Sequence, residues 1–218
     1  MKLPTTIPFL CLVLISMPGL QADAIFLTPE EDSFIQGGSL GMEIRRNGYL
    51  EVAARGASEK SALRKIFLAF DVEKNVAAKV ASTRLVLSYR TGSTIISSEE
   101  GDKTPVTLAL FGGVGENWSE ENLTWDEAPM HDRSSATERN NTLVTLLAEQ
   151  TVDPAAPDFG SSMAFADDKL TEFIRRNPGR FTLIVTCEGS PSMPGLRFFD
   201  KDGTKDPELK PTLILEMK

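Results

Sequence analysis

Cysteine and histidine are almost absent from this chain. Among 218 residues there are two cysteines, Cys11 and Cys187, and one histidine, His131. Cys11 falls in an N-terminal leader, so Cys187 alone is expected in the mature body, where no intrachain disulfide can form. A domain of this size does not need one. One histidine beside one cysteine excludes a typical zinc site. There is no G-x-S-x-G elbow either, which leaves a Ser-His-Asp hydrolase without footing. His131 itself, in Met130-His131-Asp132-Arg133, reads as a solvated loop residue. Positive charge is also short: 23 Lys and Arg stand against 31 Asp and Glu, a formal charge of −8. That balance argues against nucleic acid and against anionic lipid, both of which need a basic stripe. No segment beyond the leader is long and apolar enough to cross a membrane.

The leader has the parts of a signal peptide. Lys2 supplies the positive start, Phe9 to Ile15 the short apolar run, and Pro18-Gly19 the break. Ala22-Asp23-Ala24 fits a small-residue cleavage site. We therefore expect residues 1–24 to be removed and residues 25–218 to form a single secreted domain, extracellular or periplasmic, with no membrane insertion after cleavage. A lipoprotein reading of Cys11 fails because Leu10, not a small residue, precedes it.

Beyond the leader the chain is a succession of strands and turns. Ser33–Gln36, Tyr49–Ala54, Lys65–Asp71, Thr83–Tyr89, Pro105–Phe111, Thr142–Leu147, Ser162–Phe165, Phe181–Cys187, Leu196–Phe199 and Thr212–Glu216 read as strands. Lys65–Asp71 is apolar on both faces and is placed centrally. The Pro at 105 suits a strand start. Cys187 ends an apolar strand and reads as a buried, inert thiol. Residues 91–104 read as an exposed polar loop, and Pro154, Pro157 and Gly160 mark a turn-rich connector. One helix is expected, capped by Asp167 or Asp168, with Leu170, Phe173 and Ile174 on one face and Asn177-Pro178-Gly179 as its stop. Many short strands, one short helix and no βαβ rhythm predict an all-β fold, an antiparallel β-sandwich of jelly-roll type.

Both tryptophans lie in one irregular stretch, Trp118-Ser119-Glu120-Glu121-Asn122-Leu123-Thr124-Trp125-Asp126-Glu127-Ala128-Pro129. Such a loop either pins itself to a core with its aromatics or presents them to a ligand. Trp125, followed by acids and Pro, is assigned the pinning role. Trp118 is the candidate for stacking on a sugar face, with packing as its alternative. The stretch resembles the "W-T-E-x-x-I-T-W-N-N-A-P" signature of the disaggregatase-related (DNRLRE-type) modules, grouped as carbohydrate-binding module family 96. Further stretches agree in the same order. Glu31 to Gly38 is similar to "A-D-x-Y-V-x-G-G", Arg64 to Asp71 to "R-K-A-Y-L-K-F-D", and Ser82 to Tyr89 to "A-T-L-x-L-Y". Val106 to Gly113 is similar to "V-T-V-Y-G-V", Phe198 to Asp202 to "F-x-S-R-E", and Pro211 to Leu215 to "P-x-L-x-V". The resemblance implies a β-sandwich that binds polysaccharide and does no chemistry.

The residues leave the same question open in several forms. Acidic glycans need cations, and Arg grips a carboxylate through two N–H groups at once. Arg64, Lys65, Arg197 and Lys201 are the candidate contacts for a uronate-rich polysaccharide, with Trp118 as the aromatic contact; scattered solvated charge is the bland alternative. No cofactor is required. Calcium is a candidate structural ion near Glu31, Asp32 and the Asp200-Lys201-Asp202-Gly203 turn, although a third spaced acid is missing. The sequons at Asn117, Asn122 and Asn140 matter only in a glycosylating host. A structural or adhesive surface protein without a sugar site is the alternative. A lyase or hydrolase stands third, since no carboxylate pair is singled out for it.

Overall fold

The computed structural model describes residues 23–37, 48–54, 63–94, 105–115, 117–130, 143–152, 158–188 and 193–218. Residues 1–22 of the leader with Cys11, Asn47, the 95–104 loop, His131, Asn140, Pro154 and Pro157 lie outside the described residues. The strands are β1 (Ala24–Leu27), β2 (Glu31–Gln36), β3 (Leu50–Ala54), β4 (Arg64–Val72), β5 (Val80–Thr94), β6 (Val106–Val114), β7 (Val144–Val152), β8 (Ser162–Ala166), β9 (Gly179–Glu188), β10 (Met193–Phe198) and β11 (Thr212–Met217). Every recorded pairing is antiparallel. The hydrogen-bonded path runs β1-β11-β5-β10-β3-β4-β9-β6-β7, with β2 on β4 and β8 on β5. The result is an all-β sandwich, as the strand rhythm predicts. One layer is built on β5 and β11 and the other on β4, β9 and β6, with β10 and β3 joining them.

β4 shows why the sequence folds this way. Ile66, Phe67, Leu68, Ala69 and Phe70 are all buried, so both faces of the strand are covered. It sits between β2 and β9, in register Phe34↔Ile66 and Ile66↔Val185. One face packs toward the second layer. The other, carrying Lys65 and Phe67, is roofed by the tryptophan stretch. Cys187 on β9 is buried, and burial pushes its thiol up to about 12, which keeps it protonated and inert.

The expected helix is α2 (Asp168–Arg176). Asp167 accepts the Lys169 amide at 2.8 Å as N-cap, and Leu170 and Ile174 are buried beneath it. Gly179 follows at φ +93. Gly112 in β6 lets the helix approach: a Cβ there would lie 2.6 Å from Leu147 Cδ1 and 2.8 Å from Phe173 Cζ. Three elements add to the sequence reading, one of them a 3-10 turn at Pro207–Leu209. A single-turn helix α1 (Lys74–Ala77) joins β4 to β5, and β1 lies antiparallel to β11 from Ala24↔Glu216 to Leu27↔Leu213. Several strands also run further than expected. β5 spans Val80–Thr94, so residues 91–94, read as loop, continue the strand.

Candidate functional site

The tryptophan stretch is a strap across the outer side of β4, β9 and β6. Trp125 is buried, with Lys65 Nζ 5.3 Å from its ring centroid. Trp118 is half-buried and edge-on to Phe67, ring centroids 6.1 Å apart, and its indole N–H is donated to Thr182 Oγ1 at 2.9 Å. Arg180 Nη2 donates to the Trp118 carbonyl at 3.0 Å. Met130, at φ +56, ends the strap over Gly113, where a Cβ would fall on its sulfur. Trp118 thus has its polar handle and one ring edge engaged by the sheet; what stays open is a hollow of about 220 Å³ lined by Asn117, Trp118, Ser119, Asn122, Leu123 and Glu127. Lys65 lies under the strap at 2% exposure, so no polymer reaches it in this conformation.

An acidic knot fastens the strap to β2 and to the turn after β10. The Asp32 amide donates to Glu120 Oε2 at 3.3 Å, and the Glu120 amide returns to Glu31 Oε2 at 3.0 Å. Lys201 Nζ bridges Glu120 at 3.0 Å and Asp202 at 2.5 Å. The Lys201 amide donates to Asp32 Oδ2 at 2.7 Å. Burial raises the Asp32 carboxyl to about 7, with that N–H pulling the other way. Asp200 is raised by burial as well, partly offset by the Gly203 and Asp202 amides. Desolvation opposes the charge on Lys201, but its bonds to Asp202 and Glu120 outweigh that and its pKa rises. The residues named from the sequence for a structural calcium, Glu31, Asp32 and the Asp200 turn, all fall in this knot. Asp32 and Asp200 already accept backbone N–H groups, and the cation among the carboxylates is Lys201. Among the described residues no group of three or more His, Cys, Asp or Glu side chains is arranged to hold a metal.

Arg64 and Arg197 come together elsewhere, at the junction of β3, β4 and β10. In the ladders Arg197 faces Glu51 and Arg64 faces Ala53, two residues further along β3. Alternation therefore puts Tyr49, Glu51 and Ala53 on one side of the chain, beside both arginines. Arg64 Nη1 lies 3.0 Å from Glu51 Oε1, and Arg197 Nε lies 3.2 Å from Oε2. The Glu51 side chain is 4% exposed, those of Arg64 and Arg197 14% and 30%. Gly195 makes room for the carboxylate, since a Cβ there would fall on Glu51 Oε1.

Two further residues belong to this cluster, and the sequence reading missed both. The half-buried Tyr49 ring carries the Arg197 guanidinium 4.6 Å from its centroid and that of Arg90 at 5.4 Å. Phe34 stacks beside it, centroids 5.7 Å apart. Arg90 is there because of a β-bulge. Arg197 pairs with Thr91 and Phe198 with Tyr89, so Arg90 is the extra residue in β5 and is re-aimed. The cluster offers planar, weakly hydrated cations and an aromatic ring at one half-buried spot, a setting that strengthens charge-assisted hydrogen bonds. Of the five contacts named from sequence, the fold brings together Arg64 and Arg197. It places Lys65 and Trp118 at the strap and Lys201 in the acidic knot.

No protein-family model matches the chain, and no curated protein matches it. Among solved structures, the chain is similar to a family 35 carbohydrate binding module from Clostridium thermocellum. The likeness covers 88% of this chain and 98% of that chain, at 8% sequence identity and a TM-score of 0.33. At that level no ligand and no residue role is carried across.

Proposed function

We propose that the protein is a non-catalytic carbohydrate binder of the DNRLRE type, exported once residues 1–24 are removed. Its ligand is an acidic, uronate-rich polysaccharide, held at the arginine–tyrosine cluster. One observation carries the reading: Arg64 and Arg197 converge on Glu51 while Arg197 and Arg90 converge on the Tyr49 ring. A uronate presents a planar carboxylate for the guanidinium forks and a C–H face for an aromatic ring. The structural alternative is favoured by a different fact, that the carboxylate between Arg64 and Arg197 is the protein's own Glu51. On that view the cluster is a strut tying β3, β4 and β10 together.

Affinity electrophoresis in gels cast with alginate, pectin, xylan or neutral glucan separates these readings, with Arg90→Ala and Arg197→Ala run beside the wild type. Retardation in uronate gels alone, lost in both variants, is the expected result. Retardation in neutral gels moves the contact to aromatics. No retardation in any gel supports the structural role.

A further inference from the structure

Phe159 is the most exposed of the large apolar side chains among the described residues, at 68%. It is not loose. Its ring stands edge-on against Phe199, centroids 5.5 Å apart at 77°, and Phe199 is itself buried. The Gly160 amide donates to the Tyr89 carbonyl at 2.8 Å, and the Tyr89 amide donates to the Ser161 carbonyl at 2.8 Å. The Phe199 amide donates to the Ser88 carbonyl at 3.0 Å. Three consecutive residues of β5 thus hold one surface: Ser88 fixes Phe199, Tyr89 fixes the turn bearing Phe159, and Arg90 is the bulged cation over Tyr49. Phe199 directly follows Phe198, the last residue of β10, and so lies two residues along the chain from Arg197. Beyond Leu50↔Phe198, the last recorded pair of β3 and β10, the two chains continue as Tyr49 and Phe199.

An exposed phenylalanine braced by a buried one is a rigid apolar face, and rigidity lowers the entropy lost on binding. Held by Tyr89, the β5 residue next to Arg90, it matches a ligand whose repeating unit alternates carboxylates with apolar ring faces. We propose that Phe159, braced by Phe199, is a second subsite that stacks on the pyranose ring next to the one whose carboxylate Arg197 and Arg90 hold. This subsite rests on the acidic-polysaccharide reading and extends it: the site spans more than one sugar, and longer chains bind more tightly than single uronates.

Calorimetric titration with uronate oligosaccharides of increasing length tests this on wild type, Phe159→Ala, Phe159→Trp and Arg197→Ala. The wild type gains affinity with length. Phe159→Ala loses roughly tenfold on the longer chains, keeps its affinity for a monouronate, and keeps the wild-type unfolding midpoint. Phe159→Trp restores the loss. If Arg197→Ala weakens binding at every length while Phe159→Ala matches the wild type on long chains, the second subsite is wrong and the first stands. If the wild type binds no uronate of any length, the acidic-polysaccharide reading fails and the subsite falls with it.

Discussion

Trp118 donates its indole N–H to Thr182 Oγ1 at 2.9 Å, joining the strap to the centre of β9. Thr182 is 2% exposed, so a lost partner leaves a buried hydroxyl without compensation. Trp118→Phe keeps the ring and removes the donor. It should destabilise the protein by about 1–2 kcal/mol, read by urea denaturation. In a double-mutant cycle with Thr182→Val the two changes should be less than additive. Full additivity would show that the bond holds nothing.

Trp125→Ala should cost more, about 3–5 kcal/mol, because it empties the roof over Lys65 and β4. The same experiment tests whether the strap is part of the fold or a cover. A small loss in midpoint would mean that the strap lifts without unfolding the sandwich.

Asp32 carries a pH signature. Its carboxyl is raised to about 7 in the folded chain, chiefly by burial, against about 3.9 when unfolded. Between those values the folded state holds a proton that the unfolded state has released. Stability from this group is therefore full below about pH 4, declines as pH rises toward 7, and is flat above. Asp32→Asn should remove that decline. The variant should gain on the wild type by a few kcal/mol between about pH 4 and 7.5, measured as paired unfolding free energies. A constant difference across that range would contradict the burial argument.

Glu51 is the counter-charge for Arg64 and Arg197. Glu51→Gln leaves two half-buried guanidinium groups facing a neutral amide and should destabilise by about 3–5 kcal/mol. Measured by thermal unfolding, the effect should shrink when Arg64→Met is added. If it does not, the arginines are not what makes Glu51 matter.

The elements legible in the sequence were those with local signals. β4 showed itself by apolar residues on both faces, and α2 by Asp167 at its start and Asn177 to Gly179 at its stop. β1 went unread because Ala24 to Leu27 is four residues long and overlaps the expected cleavage point. The site was legible only in part. Arg64 and Arg197 stand at strand positions whose neighbours follow from order and register. Arg90 could not be found that way, because its direction is set by a bulge that breaks the alternation. Tyr49 lay in plain view as one of two tyrosines, but its role depends on β10 lying beside β3. Lys65 adjoins Arg64 in sequence and points to the opposite face, where the strap covers it. Lys201 looked like one more cation, and only the fold shows Glu120 and Asp202 gathered around it.

The proposal to be tested first is that guanidinium groups at the Tyr49–Glu51 junction read carboxylates on a glycan. Its most direct test is the dissociation constant for a polyuronate compared with the same polymer after its carboxyl groups are reduced to alcohols. Ring shape and linkage are unchanged; only the charge is gone. The reduced polymer should bind at least roughly tenfold more weakly, with the difference abolished in Arg197→Ala. Equal affinity for the two polymers would contradict it.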